Sequence, residues 1–211
     1  MSKQQAPLEA LKQFLPDGTY EMVSTYLYSH KIHLTVTRER SSVLGDYRNA
    51  IDGRNHRISV NGNLNPFAFL YTLIHEIAHL LVYDKYGHRV ASHGREWKHI
   101  FSLLLKEFLA EDVFPADIRA AIAASLNSPA ASSCAEDGLL RVFRKYDKGK
   151  QDMFFVEEIE PGGLFVIKDK RVFRRGPKIR KRYKCVEVAT GREYLFSPVY
   201  EVKRVSESES L

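Results

Sequence analysis

The sequence predicts an α+β protein: helices with a small three-stranded sheet, then a small all-β module. Three observations predict it. Residues 66–86 carry a long helical pattern, opened by Asn65-Pro66 and closed by Gly87. Short alternating runs precede that helix. After residue 127 the pattern turns to short strand-like runs punctuated by glycine.

In chain order, Leu8, Leu11 and Leu15 have helical spacing, and Pro16-Asp17-Gly18 ends the run. A second helix is expected over 20–29, with Met22, Val23, Tyr26 and Leu27 on its apolar side. Leu34 and Val36 alternate with threonines as in a strand; 43–47 and 56–60 are further strand candidates, the last closed by Asn61-Gly62-Asn63. An antiparallel sheet is expected from them. Asn65 is a good N-cap and Pro66 suits the first turn of the long helix. A further helix is expected over 93–109, burying Trp97, Phe101, Leu104, Leu105 and Phe108, and a shorter one over 115–126. The small, polar segment NSPAASSCAEDG reads as a linker. Strand-like runs follow at 139–146, 153–159, 164–168, 171–173, 181–188 and 192–196. The division expected is therefore a domain over 1–127, a linker over 128–138, a basic β module over 139–205 and a tail over 206–211.

Composition narrows the class. The chain has 211 residues, 44% hydrophobic and 27% charged, enough for a core without staples. Two distant cysteines, Cys134 and Cys185, make no disulfide framework and suit a reducing compartment. The opening MSKQQAPLEALKQF lacks a signal-peptide apolar run, and unbroken apolar runs such as 67–71 are too short to span a bilayer. Cytoplasmic residence without a membrane partner is the expectation, with nucleoid association allowed by charge. The net charge is +6, but ten of the seventeen residues 168–184 are Lys or Arg. Such a run is either a solvated face or a phosphate-contacting surface. The candidates for nucleic-acid contact are Arg174, Arg175, Lys178, Arg180, Lys181, Arg182 and Lys184, with Phe173 and Tyr183 interleaved for base stacking.

The chemistry concentrates in 66–101. His75-Glu76-Ile77-Ala78-His79 is an H-E-x-x-H pattern. One helical turn separates the two histidines, with roughly 5–6 Å between their Cβ atoms, so both imidazoles reach one zinc ion. Glu76 then stands where its carboxylate takes a proton from zinc-bound water. Two such histidines could also be core residues with satisfied hydrogen bonds, but Glu76 would then be an unpaired buried carboxylate, which is costly. A catalytic zinc needs a third protein ligand. The metzincin pattern is excluded, because Val82 and Lys85 stand where it needs Gly and His. The candidates are His88, His93, Glu96, His99 and Glu107, and spacing favours His93. Tyr83, Tyr86 and His99 read as packing residues, and Trp97 as a core residue that places His93.

HEIAHLL followed by SHGREWKHIF resembles the SprT and Spartan metalloprotease family over roughly residues 20–114. That family pairs H-E-x-x-H with a later His-Gly-x-x-Trp/Phe segment, here His93-Gly94-Arg95-Glu96-Trp97. The resemblance implies a zincin-like metalloprotease domain, one catalytic Zn2+ on His75, His79 and His93, and Glu76 as general base. Its Spartan branch cleaves proteins crosslinked to DNA, which implies a protein substrate and DNA as a partner, held here by the basic module. The chain departs from the many members that carry a zinc ribbon, since two isolated cysteines supply no paired C-x-x-C. The competing expectation is a non-proteolytic protein binding nucleic acid or the transcription machinery, with a residual zinc site. Glu76 favours the enzyme.

Overall fold

A computed structural model describes residues 8–40, 43–51, 53–126, 137–149 and 152–205. The chain forms two compact units, Met1–Asp147 and Lys148–Leu211. The protein is α+β.

In the first unit a 3-10 helix, Leu8–Phe14, precedes α1 (Tyr20–Ser29). Three strands follow: β1 (His33–Thr37), β2 (Gly45–Arg48) and β3 (Arg57–Asn61). Their order is β1-β3-β2, so β3 is central. β2 pairs with β3 antiparallel, setting Gly45 opposite Val60 and Tyr47 opposite Ile58. β1 pairs with β3 in parallel, so the sheet is mixed where an antiparallel one was expected. The chain visits the far edge as β2 before returning to the middle, which brings β1 and β3 into the same direction.

α2 (Pro66–Tyr86) has the bounds expected from sequence. The Asn65 side chain accepts from the Ala68 amide at 3.0 Å and donates to Phe143 O at 2.9 Å and Asp147 Oδ1 at 2.7 Å. One residue thus caps the helix and ties it to the end of the unit. Gly87 closes α2 at φ 61°, a conformation that favours glycine. By length and composition α2 could cross a membrane, yet 72% of its apolar window is buried inside the protein, as in a core helix. It packs with α3 (Arg95–Ala110), α4 (Ala116–Ser125) and α5 (Asp137–Arg144) around Phe69, Trp97, Phe101, Phe108 and Ile118.

α5 corrects the sequence reading of 139–146 as the first strand of the β module. Leu139 and Phe143 are one turn apart and buried in the first unit's core, Phe143 against Tyr71 at 5.5 Å. Tyr146 meets Phe67 edge-on at 5.0 Å. Helical period, not alternation, buries these rings. Most of the expected linker, with Cys134, and the whole tail lie outside the described residues.

The second unit is a six-stranded antiparallel sheet. Its strands are β4 (Met153–Phe155), β5 (Leu164–Val166), β6 (Val172–Ile179), β7 (Arg182–Glu187), β8 (Glu193–Phe196) and β9 (Glu201–Arg204), in the order β4-β9-β5-β6-β7-β8. Phe165, Phe173, Tyr183, Cys185, Phe196 and Val202 form its core.

Candidate metal centre

α2 runs through the core, so its functional side chains are enclosed by packing. His75 and Glu76 are both buried. His93, where the helix was expected to start, lies instead in the turn just before α3, which begins two residues later at Arg95. Gly94 closes that turn by donating to Ala91 O at 3.0 Å. A Cβ at Gly94 would sit 3.2 Å from Ala91 O and 3.2 Å from Glu96 Oε2, so a larger residue would crowd the turn that delivers His93.

The three imidazoles converge. His79 Nε2 is 3.2 Å from His75 Nε2, and His93 Nε2 is 3.3 Å from the same atom. The donor atoms of the three all lie within 4.8 Å of one another. A tetrahedral ion with Zn–N bonds near 2.0–2.1 Å sets its donors about 3.3 Å apart, so the set fits such a cation. Among the described residues these histidines are the one group that could hold a metal. Of the other candidates, Glu107 accepts from the Tyr26 hydroxyl at 2.7 Å, His88 packs on Tyr83 and His99 is exposed.

Burial keeps the rings neutral. It pushes His75 down to about 3, helped by His79 and His93, and His79 down to about 4, helped by His93. Burial also lowers His93. Each therefore offers a lone pair at neutral pH. Trp97 braces all three, its ring 4.6 Å from that of His75, 5.3 Å from His79 and 4.8 Å from His93, with Phe101 stacked behind it at 4.7 Å. His75 Nδ1 and Trp97 Nε1 are buried without a hydrogen-bond partner among the described residues.

Glu76 faces the sheet. A Cβ added to Gly45 would lie 2.5 Å from Glu76 Oε1 and 2.9 Å from Cγ. Burial raises the carboxyl to about 8; Asp46 raises it further and Arg40 opposes the rise. Arg40 is itself locked: it donates to Asn61 Oδ1 at 2.8 Å and Ser59 Oγ at 3.0 Å, while Asn61 Nδ2 donates back to Arg40 O at 3.1 Å and Val43 O at 3.0 Å. That exchange shapes the approach to β2.

Sequence reasoning missed a second feature of the site. The Tyr47 ring lies 6.5 Å from that of His79 and nearly parallel to it, at 7°. Its hydroxyl is 2.9 Å from His56 Nδ1, which also accepts from the Ala50 amide at 3.3 Å. An amide can only donate, so Nδ1 is unprotonated and the Tyr47 hydroxyl donates to it. The His56 proton then sits on Nε2, 3.4 Å from Asp84 Oδ1, and the other Asp84 oxygen is 3.3 Å from His30 Nδ1. Burial, then the charges of Asp84 and Tyr83, raise Tyr47 and keep it a phenol. Alternation could have placed residues 45 and 47 on one face of the strand; that this face meets α2 depends on the fold.

The seven basic candidates separate in the second unit. Arg174 donates to Gly162 O at 3.0 Å, the Arg175 guanidinium lies 4.3 Å over the Tyr183 ring, and Lys184 pairs with Glu193 at 2.6 Å. Lys178 reaches the Tyr183 ring at 5.7 Å but is exposed, as are Arg180, Lys181 and Arg182. Phe173 and Tyr183 are core residues, which corrects the expectation that they stack on bases: the period of the strands turns both rings inward. No family model matches the sequence, and no solved structure matches the chain.

Proposed function

We propose that the chain is a zinc-dependent metalloendopeptidase of SprT-like type, with a zincin-like first unit, acting on DNA-associated or DNA-crosslinked proteins. The observation that carries this reading is the convergence of three imidazoles, with the Nε2 atoms of His79 and His93 3.2 and 3.3 Å from that of His75, beside the helix turn that carries the buried Glu76. The motif resemblance supports the same assignment.

His75, His79 and His93 would hold the ion. A bound zinc supplies Lewis acidity and a water acidified towards about pH 7. Glu76 accepts the proton released as water adds to the peptide carbonyl, then delivers it to the departing amine. Its raised affinity for protons suits that shuttle. Substrate backbone aligns along β2 by strand addition. β3 pairs on both sides and has no edge to offer, whereas β2 is an edge strand lying against Glu76 and His79. Cations of the second unit hold the enzyme on DNA, so selectivity comes from co-localisation rather than from a side-chain pocket.

The exposed cations of the second unit also favour a second reading, a binding protein for nucleic acid or the transcription machinery with a residual metal site. A purely structural site has no use for Glu76. The deciding experiment is Glu76→Gln in zinc-loaded protein given a DNA-bound protein substrate. Cleavage is lost with zinc retained if Glu76 is the base; undiminished cleavage refutes that role.

A further inference from the structure

The cations of 168–184 do two different jobs. Arg174, Arg175 and Lys184 are engaged within the unit by a carbonyl, a ring and a carboxylate. Lys178, Arg180, Lys181 and Arg182 gather instead at the end of the β6–β7 hairpin, where Ile179 opposes Arg182 and Arg180-Lys181 forms the turn. Among the described residues, nearby acids are occupied elsewhere: Asp169 with Arg171, Glu187 with Thr190 and Arg171, Glu193 with Lys184. The tip's charge is therefore uncompensated by them. Ile179, 44% exposed, stands among these cations.

The base of the hairpin is closely packed. A register shift falls between Arg175 and Lys178, and a Cβ at Gly176 would collide with Lys184 O, so the backbones meet there as only glycine allows. The hairpin's rings are withdrawn: Phe173 is fully buried, and Tyr183 is 8% exposed with Arg175 and Lys178 over its face.

We propose that this hairpin tip docks in the major groove of duplex DNA, with Lys178, Arg180, Lys181 and Arg182 on the flanking phosphates and Ile179 against the base edges. The inference rests on the nucleic-acid part of the reading above and is independent of peptide cleavage. Three considerations select this partner. Single strands are gripped by stacking on exposed rings, and the hairpin offers none. The major groove of B-form DNA, about 12 Å wide, admits a two-stranded β-ribbon. The major groove of duplex RNA is too narrow and deep for side chains to read. Four exposed cations with no ion pair among the described residues supply the phosphate term, and an apolar tip residue suits the thymine methyl groups lining that groove.

The test is fluorescence anisotropy on the full chain with a labelled 20-base-pair DNA duplex, one of its single strands, and the RNA duplex of the same sequence, at several KCl concentrations. The duplex DNA is expected to bind at least about tenfold more tightly than the other two, in line with the loss of stacking. Changing Lys178, Arg180, Lys181 and Arg182 together to Ala should flatten the log Kd against log salt slope by about 3–4, at about 0.9 per phosphate. Ile179→Ser should weaken duplex binding with the slope unchanged, and Arg174→Ala should leave the slope unchanged. All these positions, the Arg174 control included, are exposed, and circular dichroism verifies folding. Single-stranded DNA or duplex RNA binding as well as duplex DNA overturns the proposal, as does an unaltered slope in the fourfold variant. Binding of polyglutamate in place of DNA would assign the tip to an acidic protein and overturn it too. The assay on Glu76→Gln separates failure here from failure of the peptidase reading.

Discussion

Gly45 leaves the room that Glu76 occupies: a Cβ at residue 45 would lie 2.5 Å from the carboxylate Oε1. The strand nearest the proposed base thus carries no side chain where the two touch. Gly45→Ala must displace either the carboxylate or β2, an overpacking cost of about 1–3 kcal/mol. The expected outcome is a large loss of cleavage with zinc content unchanged, measured by turnover and elemental analysis of one preparation. Loss of zinc in parallel would mean that the strand supports the ligands rather than Glu76.

Trp97 touches all three of the clustered imidazole rings and has no exposed surface. Trp97→Ala should destabilise the protein by about 3–5 kcal/mol through the cavity it leaves, and zinc affinity should fall with it. Trp97→Phe should recover much of the stability in urea unfolding while zinc binding recovers less, because a smaller ring cannot brace three imidazoles.

Tyr47 couples β2 to α2 through His56 and Asp84. Tyr47→Phe keeps the ring over His79 and removes one hydrogen bond, so urea unfolding should show a loss of about 0.5–1.5 kcal/mol. His56→Ala should cost more, since it also frees the Ala50 amide. Equal losses in the two variants would show that His56 contributes nothing beyond its contact with the phenol.

The buried histidines and Glu76 should give the stability of the zinc-free protein opposite pH dependences. His75 and His79 titrate near 3 and 4 when folded, below their ordinary 6.5. The unfolded chain therefore binds more protons there, and stability rises with pH up to about 6.5. Glu76 titrates near 8 when folded, above its ordinary 4.5. Its stabilising protonation is fully present below 4.5 and lost as pH climbs through 8. Between 4.5 and 6.5 the histidines outnumber it; above 6.5 only Glu76 remains, and stability should decline. Chemical unfolding of chelator-treated protein across this range should show a maximum near pH 6.5, and Glu76→Gln should remove the descending limb.

The long helix was legible because every level agreed: Asn65 caps it, Pro66 opens it, Gly87 ends it and its apolar residues face inward. The histidines followed from spacing, since helical period fixes residues 75 and 79, and the His-Gly-x-x-Trp segment pointed to residue 93. What remained illegible is what depends on contacts between distant segments. Nothing local says that β1 and β3 run parallel, or that Tyr47 lies over His79. Residues 139–146 were misread because Leu139, Val142, Phe143 and Tyr146 satisfy a helix as readily as a strand; contact of Phe143 with Tyr71 in the first unit's core favours the helix, which runs to Arg144. Charge along 168–184 was visible, but which cations the sheet consumes was not.

The claim on which the rest depends is that His75, His79 and His93 share one ion. Its most direct measurement is zinc stoichiometry and affinity, by competition against a chromogenic chelator, for the wild type and His93→Ala. The account predicts about one zinc per chain in the wild type, as a three-histidine site requires, and at least a hundredfold weaker binding in the variant. No zinc after loading, or the same affinity in both proteins, would contradict it.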